Sequence, residues 1–279
     1  MKKHLKYSEK EQVNKSIPLL VFSDGETFAD GTGFLEEARA LADHLKVPFT
    51  ADVQAVSEAK LFLRFSREGL SLEDGDLVLL GDFTQMLPRL MQGRLGGELL
   101  VKASKIKGNR NSDPEGAPVI VDATAGMGED SLLLAAAGFR VIMVEYDPVI
   151  AALLRDTLRR ASHHPELGPV VARMEVIEGN SLEILPSLPL QPDVVFLDPM
   201  FPERQKTGLI KKKFQLLQQL EKPCCDEEEL LRAAMEAGPV KIVIKRPLKG
   251  PFLAGVKPDF SNPGKAIRYD CILPQNKRV

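Results

Sequence analysis

The segment from Asp198 to Pro202 (Asp-Pro-Met-Phe-Pro) combines an acid, a proline-stiffened turn and an aromatic ring. This combination suits a flat heterocycle with an exocyclic amine, because Asp198 and a nearby carbonyl can accept the amine protons while Phe201 stacks on the ring. Such stacking is worth roughly 1–3 kcal/mol per base, close to the cost of unstacking a base. Asp198, Pro199 and Phe201 are therefore the predicted catalytic residues; the alternative is a rigid loop with a packed phenylalanine.

A glycine-rich turn from Asp122 to Asp130 lies earlier in the chain. Gly126 and Gly128 let the backbone come close to a ligand, and the helix that follows offers free N–H groups. The third glycine of a dinucleotide fingerprint is missing, since Ser131 stands in its place. The acid Asp122 suits the amino group of a methionine-type ligand, which favours S-adenosylmethionine over NAD. The alternative is a tight turn that binds no ligand.

Two further polar pairs follow predicted strands. Glu145, next to Tyr146, is placed to accept hydrogen bonds from the two hydroxyls of a ribose. Its alternative role is to stabilise a helix N-terminus, although Asp147 before a proline fits that role better. Asn180 and Ser181 could hold an adenine edge or could simply cap a helix, and the sequence leaves both possibilities open.

Basic residues are concentrated after the fourth and fifth predicted strands. Phosphate groups of a nucleic acid would need neutralising on this side of the sheet, although a charge run is commonly a solvated helix face. The predicted RNA-binding residues are Arg204, Lys206, Lys211, Lys212, Lys213, Lys245 and Arg246.

The histidines and cysteines predict no metal site. None of the four histidines has metal-ligand spacing or accompanies a nucleophile motif, and two of the three cysteines are adjacent, at Cys224 and Cys225. This favours a reaction that needs neither a metal nor a covalent intermediate, such as methyl transfer from a sulfonium.

Short apolar strands alternating with helices position these motifs. Strands are predicted at 119–121, 141–144, 174–177, 194–197 and 241–244, and helices at 131–137, 148–160, 209–220 and 227–237. The alternation predicts a parallel sheet covered on both faces, with ligands at the carboxyl ends of its strands.

The N-terminal part has a different pattern. It predicts a helix at 35–45 and strands at 61–65 and 76–80, with a turn at 73–75, and a polar stretch at 102–116 follows as a linker or surface loop. The predicted domains are therefore 1–105, a smaller α+β domain with a possible RNA-docking or capping role, and 106–279.

The composition is that of an ordinary globular protein. Of 279 residues, 44% are hydrophobic and 27% charged, and 37 basic against 39 acidic residues give a net charge of −2. These values exclude a disordered chain and a wholly basic nucleic-acid coat. The sequence shows no membrane span and no signal peptide, so a cytoplasmic location is expected.

These motifs together resemble the bacterial RsmJ family of small-subunit ribosomal RNA methyltransferases. The resemblance covers about 106–273 and is carried by Asp122–Asp130, Glu145–Pro148, Leu197–Pro202 and Val243–Pro247. It implies a class I methyltransferase fold, Rossmann-like and mostly parallel, with a late antiparallel strand at 268–273. It also implies S-adenosylmethionine contacts at Glu129, Asp130, Glu145, Tyr146, Asn180, Ser181 and Asp198, with a backbone contact expected at Glu129.

The resulting hypothesis is methyl transfer from S-adenosylmethionine to the N2 amine of a guanine in 16S ribosomal RNA, alone or in the small ribosomal subunit. One alternative keeps the cofactor and changes the acceptor to DNA or a protein glutamine. Another is a non-catalytic RNA-binding protein with a vestigial cofactor pocket, and an NAD-dependent dehydrogenase is disfavoured by the missing glycine. The oligomeric state stays open.

Overall fold

The computed structural model describes residues 19–23, 34–106, 116–199, 216 and 226–274. Two β-sheets organise this part of the chain. The strands of the first sheet are β1 (Leu19–Ser23), β2 (Phe49–Thr50), β3 (Leu61–Ser66), β4 (Gly69–Glu73) and β5 (Val78–Leu80). Those of the second are β6 (Val119–Asp122), β7 (Arg140–Glu145), β8 (Met174–Glu178), β9 (Val194–Leu197), β10 (Lys241–Pro247), β11 (Phe260–Pro263) and β12 (Ile267–Ile272).

The helices connect and cover these strands. Those in the first part of the chain are α1 (Phe34–Leu45), α2 (Val53–Glu58), α3 (Leu87–Leu90), α4 (Gln92–Leu95) and α5 (Leu99–Ser104). Those that follow are α6 (Glu129–Ala136), α7 (Pro148–Ser162), α8 (Gly168–Val171), α9 (Ser181–Ile184) and α10 (Glu227–Glu236). Short 3-10 helices lie at Phe83–Met86, Leu185–Ser187 and Leu253–Gly255.

The second sheet has the order β11-β12-β10-β9-β6-β7-β8. The five strands from β10 to β8 in this order are parallel, and β12 and β11 are antiparallel additions at one side. Every residue of β6 and β9 is buried. Ile120 joins one apolar cluster and its neighbours Val119 and Val121 join another, so the sheet is covered on both faces. Parallel strands end at a common edge, and the candidate site lies there.

The first sheet has the order β2-β1-β3-β4-β5. Its strand β1 pairs in parallel with β2 and β3, and the remaining pairs are antiparallel. Helix α1 buries Phe34, Ala38 and Ala42 against this sheet, four residues apart along one face.

Helix α7 packs against both sheets. Val149, Ile150 and Leu153 on one side belong to the apolar cluster of the first sheet, whereas Leu154 and Ala161 on the other belong to the second. Hydrogen bonds reinforce the junction: Leu70 N donates to Asp156 Oδ2 over 2.9 Å, and Arg160 Nη2 donates to the carbonyl of Gly81 over 2.6 Å.

The predicted fold class is confirmed, and so is the late antiparallel strand, which is β12. Strand β4, which the sequence did not predict, lies between the two predicted N-terminal strands. The predicted helix at 209–220 lies outside the described residues except for Leu216, which is fully buried. Residues of α5 such as Leu100 and Val101 pack in the core of the second sheet, and the domain division at residue 105 stays a prediction. No helix in the described ranges is long and apolar enough to cross a membrane.

Asp156 is expected to be the residue on which the junction of the two sheets most depends. Its side chain is only 7% exposed and accepts from Leu70 N, Arg159 and Arg160. Asp156→Ala leaves these donors without an acceptor and should lower the free energy of unfolding by about 2–4 kcal/mol in urea titrations. The control Glu175→Ala breaks an exposed ion pair with Arg140 and should change the free energy of unfolding by less than about 0.5 kcal/mol. Equal effects of the two substitutions would contradict this assignment.

Candidate functional site

The turn between β6 and α6 is the centre of the site. Its backbone extends the hydrogen bonds of the sheet on both sides, since Ala123 N donates to the carbonyl of Phe196 over 3.0 Å and Ala125 N donates to that of Val144 over 3.2 Å. The turn is therefore fixed relative to the ends of β9 and β7.

Glu145, the last residue of β7, joins the turn to the start of α7. Its carboxylate accepts from Gly126 N and from Asp147 N, each over 2.8 Å. Asp147 itself caps α7 by accepting from Val149 N and Ile150 N, which confirms that the capping role belongs to Asp147. Burial raises the pKa of the Glu145 carboxyl, although these backbone hydrogen bonds act against the rise. The neighbouring Tyr146 is 62% exposed.

The two glycines of the turn have different roles. Both have positive φ, at 53° for Gly126 and 74° for Gly128. A Cβ added at Gly128 would lie 2.7 Å from Leu154 Cδ1, so this glycine permits close packing. A Cβ added at Gly126 would meet no described atom within 4 Å beyond its chain neighbours. Gly126 is thus the glycine that leaves room for a ligand.

Asp198 follows β9 directly and is held on two sides. Its N–H donates to Thr124 Oγ1 over 2.7 Å, and its Oδ2 lies 2.8 Å from Lys245 Nζ. The side chain is 31% exposed, while Pro199 is buried. The carboxylate therefore reaches the surface at the same edge as Gly126 and Glu145. Of the predicted catalytic residues, Phe201 lies outside the described residues.

Asn180 and Ser181 are both bonded within the protein. Asn180 caps α9, with its side chain accepting from Leu182 N over 3.0 Å, and Ser181 Oγ donates to the carbonyl of Ala123 over 2.6 Å. The structure thus shows the capping role for Asn180, and Ser181 ties the end of β8 to the central turn.

Asp122 lies beneath the turn rather than at its surface. The residue is 1% exposed, and its carboxyl accepts from Ser131 Oγ over 2.6 Å and from Thr124 N over 3.1 Å. Burial raises the pKa of this carboxyl to about 7, with Asp130 and Asp198 acting in the same direction. Asp122 therefore supports the turn from below. The sequence predicted that Asp122 contacts the amino group of the cofactor. Because its carboxyl is enclosed and bonded within the protein, we correct this prediction and assign Asp122 a supporting role.

The two basic residues at the end of β10 also differ from their predicted role. Lys245 Nζ lies 2.6 Å from Asp130 Oδ2 as well as 2.8 Å from Asp198 Oδ2. Arg246 is 1% exposed, and its guanidinium donates to the carbonyl of Pro251 and to Glu227. A guanidinium enclosed in this way cannot reach a phosphate, so Arg246 is removed from the predicted RNA contacts. The other predicted RNA contacts, at Arg204, Lys206 and Lys211–Lys213, lie outside the described residues.

The polar groups at this edge fit S-adenosylmethionine. The Glu145 carboxylate is largely buried, and each of its oxygens has a further lone pair for a ribose hydroxyl. Gly126 leaves space at the backbone. Asp130 and Asp198 share the ammonium of Lys245, and two carboxylates against one ammonium leave a net negative charge, which suits a cationic sulfonium and an amino group. Glu129, in the first turn of α6, is exposed. Among the described residues, no three His, Cys, Asp or Glu side chains are grouped to hold a metal ion.

Comparisons with known proteins agree with this geometry. A family model described as "Putative SAM-dependent methyltransferase" matches residues 48–274. The ribosomal RNA small subunit methyltransferase J of Nitrosococcus oceani is 39% identical over 245 residues, which cover 86% of this chain and 94% of that protein. The chain belongs to the ribosomal RNA small subunit methyltransferase J family. The resemblance inferred from the sequence is thereby confirmed.

A second relative and a solved structure match over a similar share of the chain. The protein of the same name from Pseudomonas aeruginosa strain UCBPP-PA14 is 37% identical over 242 residues, covering 84% of this chain and 89% of its own. The crystal structure of a SAM-dependent methyltransferase from Neisseria gonorrhoeae superposes with a TM-score of 0.70 at 29% identity, covering 93% of this chain and 97% of that one. The chain described here is therefore an S-adenosylmethionine-dependent methyltransferase, and S-adenosylmethionine is its cofactor. Which side chains contact the cofactor stays a prediction.

Two side chains that sequence reasoning missed complete the site. The hydroxyl of Thr124 accepts a hydrogen bond from the backbone N–H of Asp198. The phenol of Tyr269 interacts electrostatically with Asp130, Asp198 and Lys245. Burial raises the pKa of Tyr269, so this phenol stays protonated. Thr124 could have been noticed as the one hydroxyl within the glycine-rich turn.

The enclosed acid Asp122 should make stability depend on pH. Its pKa is about 7 in the folded protein against 3.8 for the ordinary carboxyl, so between these values the folded state binds more protons than the unfolded state. The contribution of this group to the free energy of unfolding therefore falls as pH rises. Asp122→Asn removes this penalty. From pH 5 to pH 8 the free energy of unfolding of this variant should rise relative to that of the wild type by about 2–3 kcal/mol, measured as a growing difference in melting temperature. The control Asp52→Asn changes an exposed acid, and its melting temperature should follow that of the wild type across this pH range. If the melting temperature of Asp122→Asn also followed that of the wild type, the assignment would be contradicted.

Proposed function

We propose that this protein transfers a methyl group from S-adenosylmethionine to the N2 amine of a guanine in 16S ribosomal RNA of the small subunit. The relatives are named as small-subunit ribosomal RNA methyltransferases, which supports the class of acceptor. The position of Asp198 carries the proposal for the amine, because an oriented carboxylate follows β9 beside the open turn at Gly126.

Methyl transfer to an amine asks little of the protein beyond positioning. The bound cofactor supplies a methyl group on a positively charged sulfur. In our proposal Asp198 accepts a hydrogen bond from the amine and orients its nitrogen toward the methyl group. The new N–C bond forms as the S–C bond breaks. The nitrogen then loses a proton, which the Asp198 carboxylate can accept. Holding two reactants in this way replaces a bimolecular encounter and contributes several kcal/mol to lowering the barrier.

The base must leave its stack to reach Asp198. We propose that Phe201 stacks on the extruded guanine and that Arg204, Lys206 and Lys211–Lys213 neutralise the flanking phosphates. An enzyme with this substrate works in the cytoplasm, where ribosomal subunits are assembled. Lys245 and Arg246 are not included, since both are held by carboxylates or carbonyls of the protein.

Asp198→Ala tests the role of this carboxylate. With small-subunit ribosomal RNA as acceptor, the substitution should lower kcat by about 100-fold or more, because the amine loses the group that orients it. Binding of the cofactor, measured by calorimetry, should change much less than kcat. The control Asp43→Asn, an exposed acid on α1, should leave both unchanged.

The acceptor is tested in the same assay. The purified enzyme is given free 16S ribosomal RNA, 30S particles, duplex DNA and a release factor with its glutamine, and the products are analysed by mass spectrometry. We expect N2-methylguanosine in ribosomal RNA or in the particle. Methylation of only DNA or the protein would contradict the proposed acceptor, and collapse of cofactor binding in Asp198→Ala would contradict the proposed role of Asp198.

The lysine run at Lys211–Lys213 should contribute to RNA affinity through charge. Replacing all three with alanine should weaken binding and reduce the salt dependence of the binding constant by about 2 in the logarithmic slope, since each phosphate contact contributes about 0.7–0.9. A control variant removes two exposed cations outside both the N-terminal part and the predicted RNA contacts, Arg173 before β8 and Arg232 on α10, and should keep the wild-type slope. Equal slopes for the wild type and the Lys211–Lys213 variant would contradict the phosphate contacts and favour the alternative that these lysines are only solvated.

A further inference from the structure

One ammonium group joins two elements of the site. Lys245 Nζ lies 2.6 Å from Asp130 Oδ2 and 2.8 Å from Asp198 Oδ2. Asp130 belongs to the first turn of α6, directly after the glycine-rich turn, and Asp198 follows β9. Strands β7, β8 and β9 separate the two carboxylates in sequence, yet both lie within hydrogen-bond distance of the same nitrogen.

The three charged groups are only partly exposed to water. The side chain of Lys245 is 20% exposed, and those of Asp130 and Asp198 are 22% and 31% exposed. Ion pairs at this level of exposure are screened less than those on an open surface. Burial alone would lower the pKa of the Lys245 ammonium, but the two carboxylates raise it well above its usual range, so the group remains charged.

Other ionisable groups interact with the two carboxylates that Lys245 contacts. The buried Asp122 interacts electrostatically with both carboxylates. Tyr269 on β12 interacts with the same three groups, and Arg89 on α3 interacts with Asp130 and Tyr269. Arg89 is itself held by Glu98 in two hydrogen bonds of 2.9 Å. Among the described residues, Lys245 thus contacts Asp130 and Asp198 directly with its positive charge.

We propose that Lys245 is a positioning residue, which fixes the carboxylate at the start of α6 relative to the carboxylate that receives the target amine. This inference rests on the proposed function of Asp198. The backbone of the turn is already held at the end of β9, so the shared ammonium acts on the side chains. It sets the distance between the Asp130 carboxylate on the cofactor side and the Asp198 carboxylate on the acceptor side. Without it, the two carboxylates repel each other and the approach of amine to methyl group is misaligned.

The competing role for Lys245 is a direct contact with an RNA phosphate. The two roles predict different results for Lys245→Met, which keeps the length of the side chain and removes its charge. A positioning role predicts that kcat falls by about 100-fold while KM for RNA and the salt dependence of RNA binding stay near the wild-type values. A phosphate contact predicts the reverse: the salt slope falls by about 1, KM for RNA rises, and kcat at saturating RNA is preserved. That second pattern would overturn the proposal.

Lys245→Arg separates charge from geometry. Arginine keeps the positive charge, but its planar head is larger than an ammonium that sits within 2.6–2.8 Å of two carboxylates. We expect partial recovery of kcat relative to Lys245→Met. Full recovery together with a restored salt slope would favour the phosphate contact. Combining Lys245→Met with Asp198→Ala should lower kcat little further than Asp198→Ala alone, since both changes disrupt one interaction. Full additivity would contradict the coupling.

A measurement on the wild-type protein covers the case in which a variant fails to fold. Limited acetylation with detection by mass spectrometry should modify the exposed Lys249 readily and Lys245 much more slowly, with or without RNA. Equal labelling of the two lysines in the free protein, with protection of Lys245 by RNA, would overturn the proposal. This readout does not need turnover. If the wild type methylates no ribosomal RNA while Lys245 stays protected, it is the proposed acceptor that fails, and the ammonium bridge stands.

Discussion

The site depends on one constraint, namely that the polar groups of the turn after β6 are satisfied by the ends of the neighbouring strands. Gly126 N finds its acceptor in Glu145, the carbonyl of Ala123 accepts from Ser181, and Thr124 accepts from Asp198 N. Each contact is short and joins residues far apart in sequence. The turn cannot shift without breaking hydrogen bonds to β7, to the start of α9 and to the residue after β9 together, so these contacts hold the site in place.

The electrostatics of the site follow from this crowding. Asp122, Asp130, Glu145 and Asp198 bring four carboxyl groups to one edge, and Lys245 neutralises two of them directly. Burial raises the pKa of both Asp122 and Glu145, so the protein limits the negative charge of its interior by enclosure as well as by pairing. What remains exposed is a carboxylate surface suited to cationic and amino groups. This agrees with a cofactor that carries both a sulfonium and an amine.

The sequence predicted the parallel sheet and the order of its motifs, because strand ends and glycine turns leave local signals. It was less successful where the outcome depended on which face a side chain occupies. Lys245 and Arg246 are neighbours in β10, and successive side chains of a strand point to opposite faces, so the two could not both face an RNA strand. Asp122 was expected to meet the cofactor, but its place at the last residue of a fully buried strand encloses it. Contacts of hydroxyl groups with distant backbone atoms, as at Thr124 and Ser181, leave no periodic signal at all.

Helix α7 has a consequence for the architecture that reaches beyond the site. It starts beside Glu145 and is shared by two apolar cores, with Val149, Ile150 and Leu153 turned to one sheet and Leu154 and Ala161 to the other. A shared helix cannot be divided between two separately folding pieces. A truncated protein that begins at β6 would expose a stripe of aliphatic side chains to water and would be prone to self-association. The N-terminal sheet thus covers the apolar face of α7 that the second sheet leaves open.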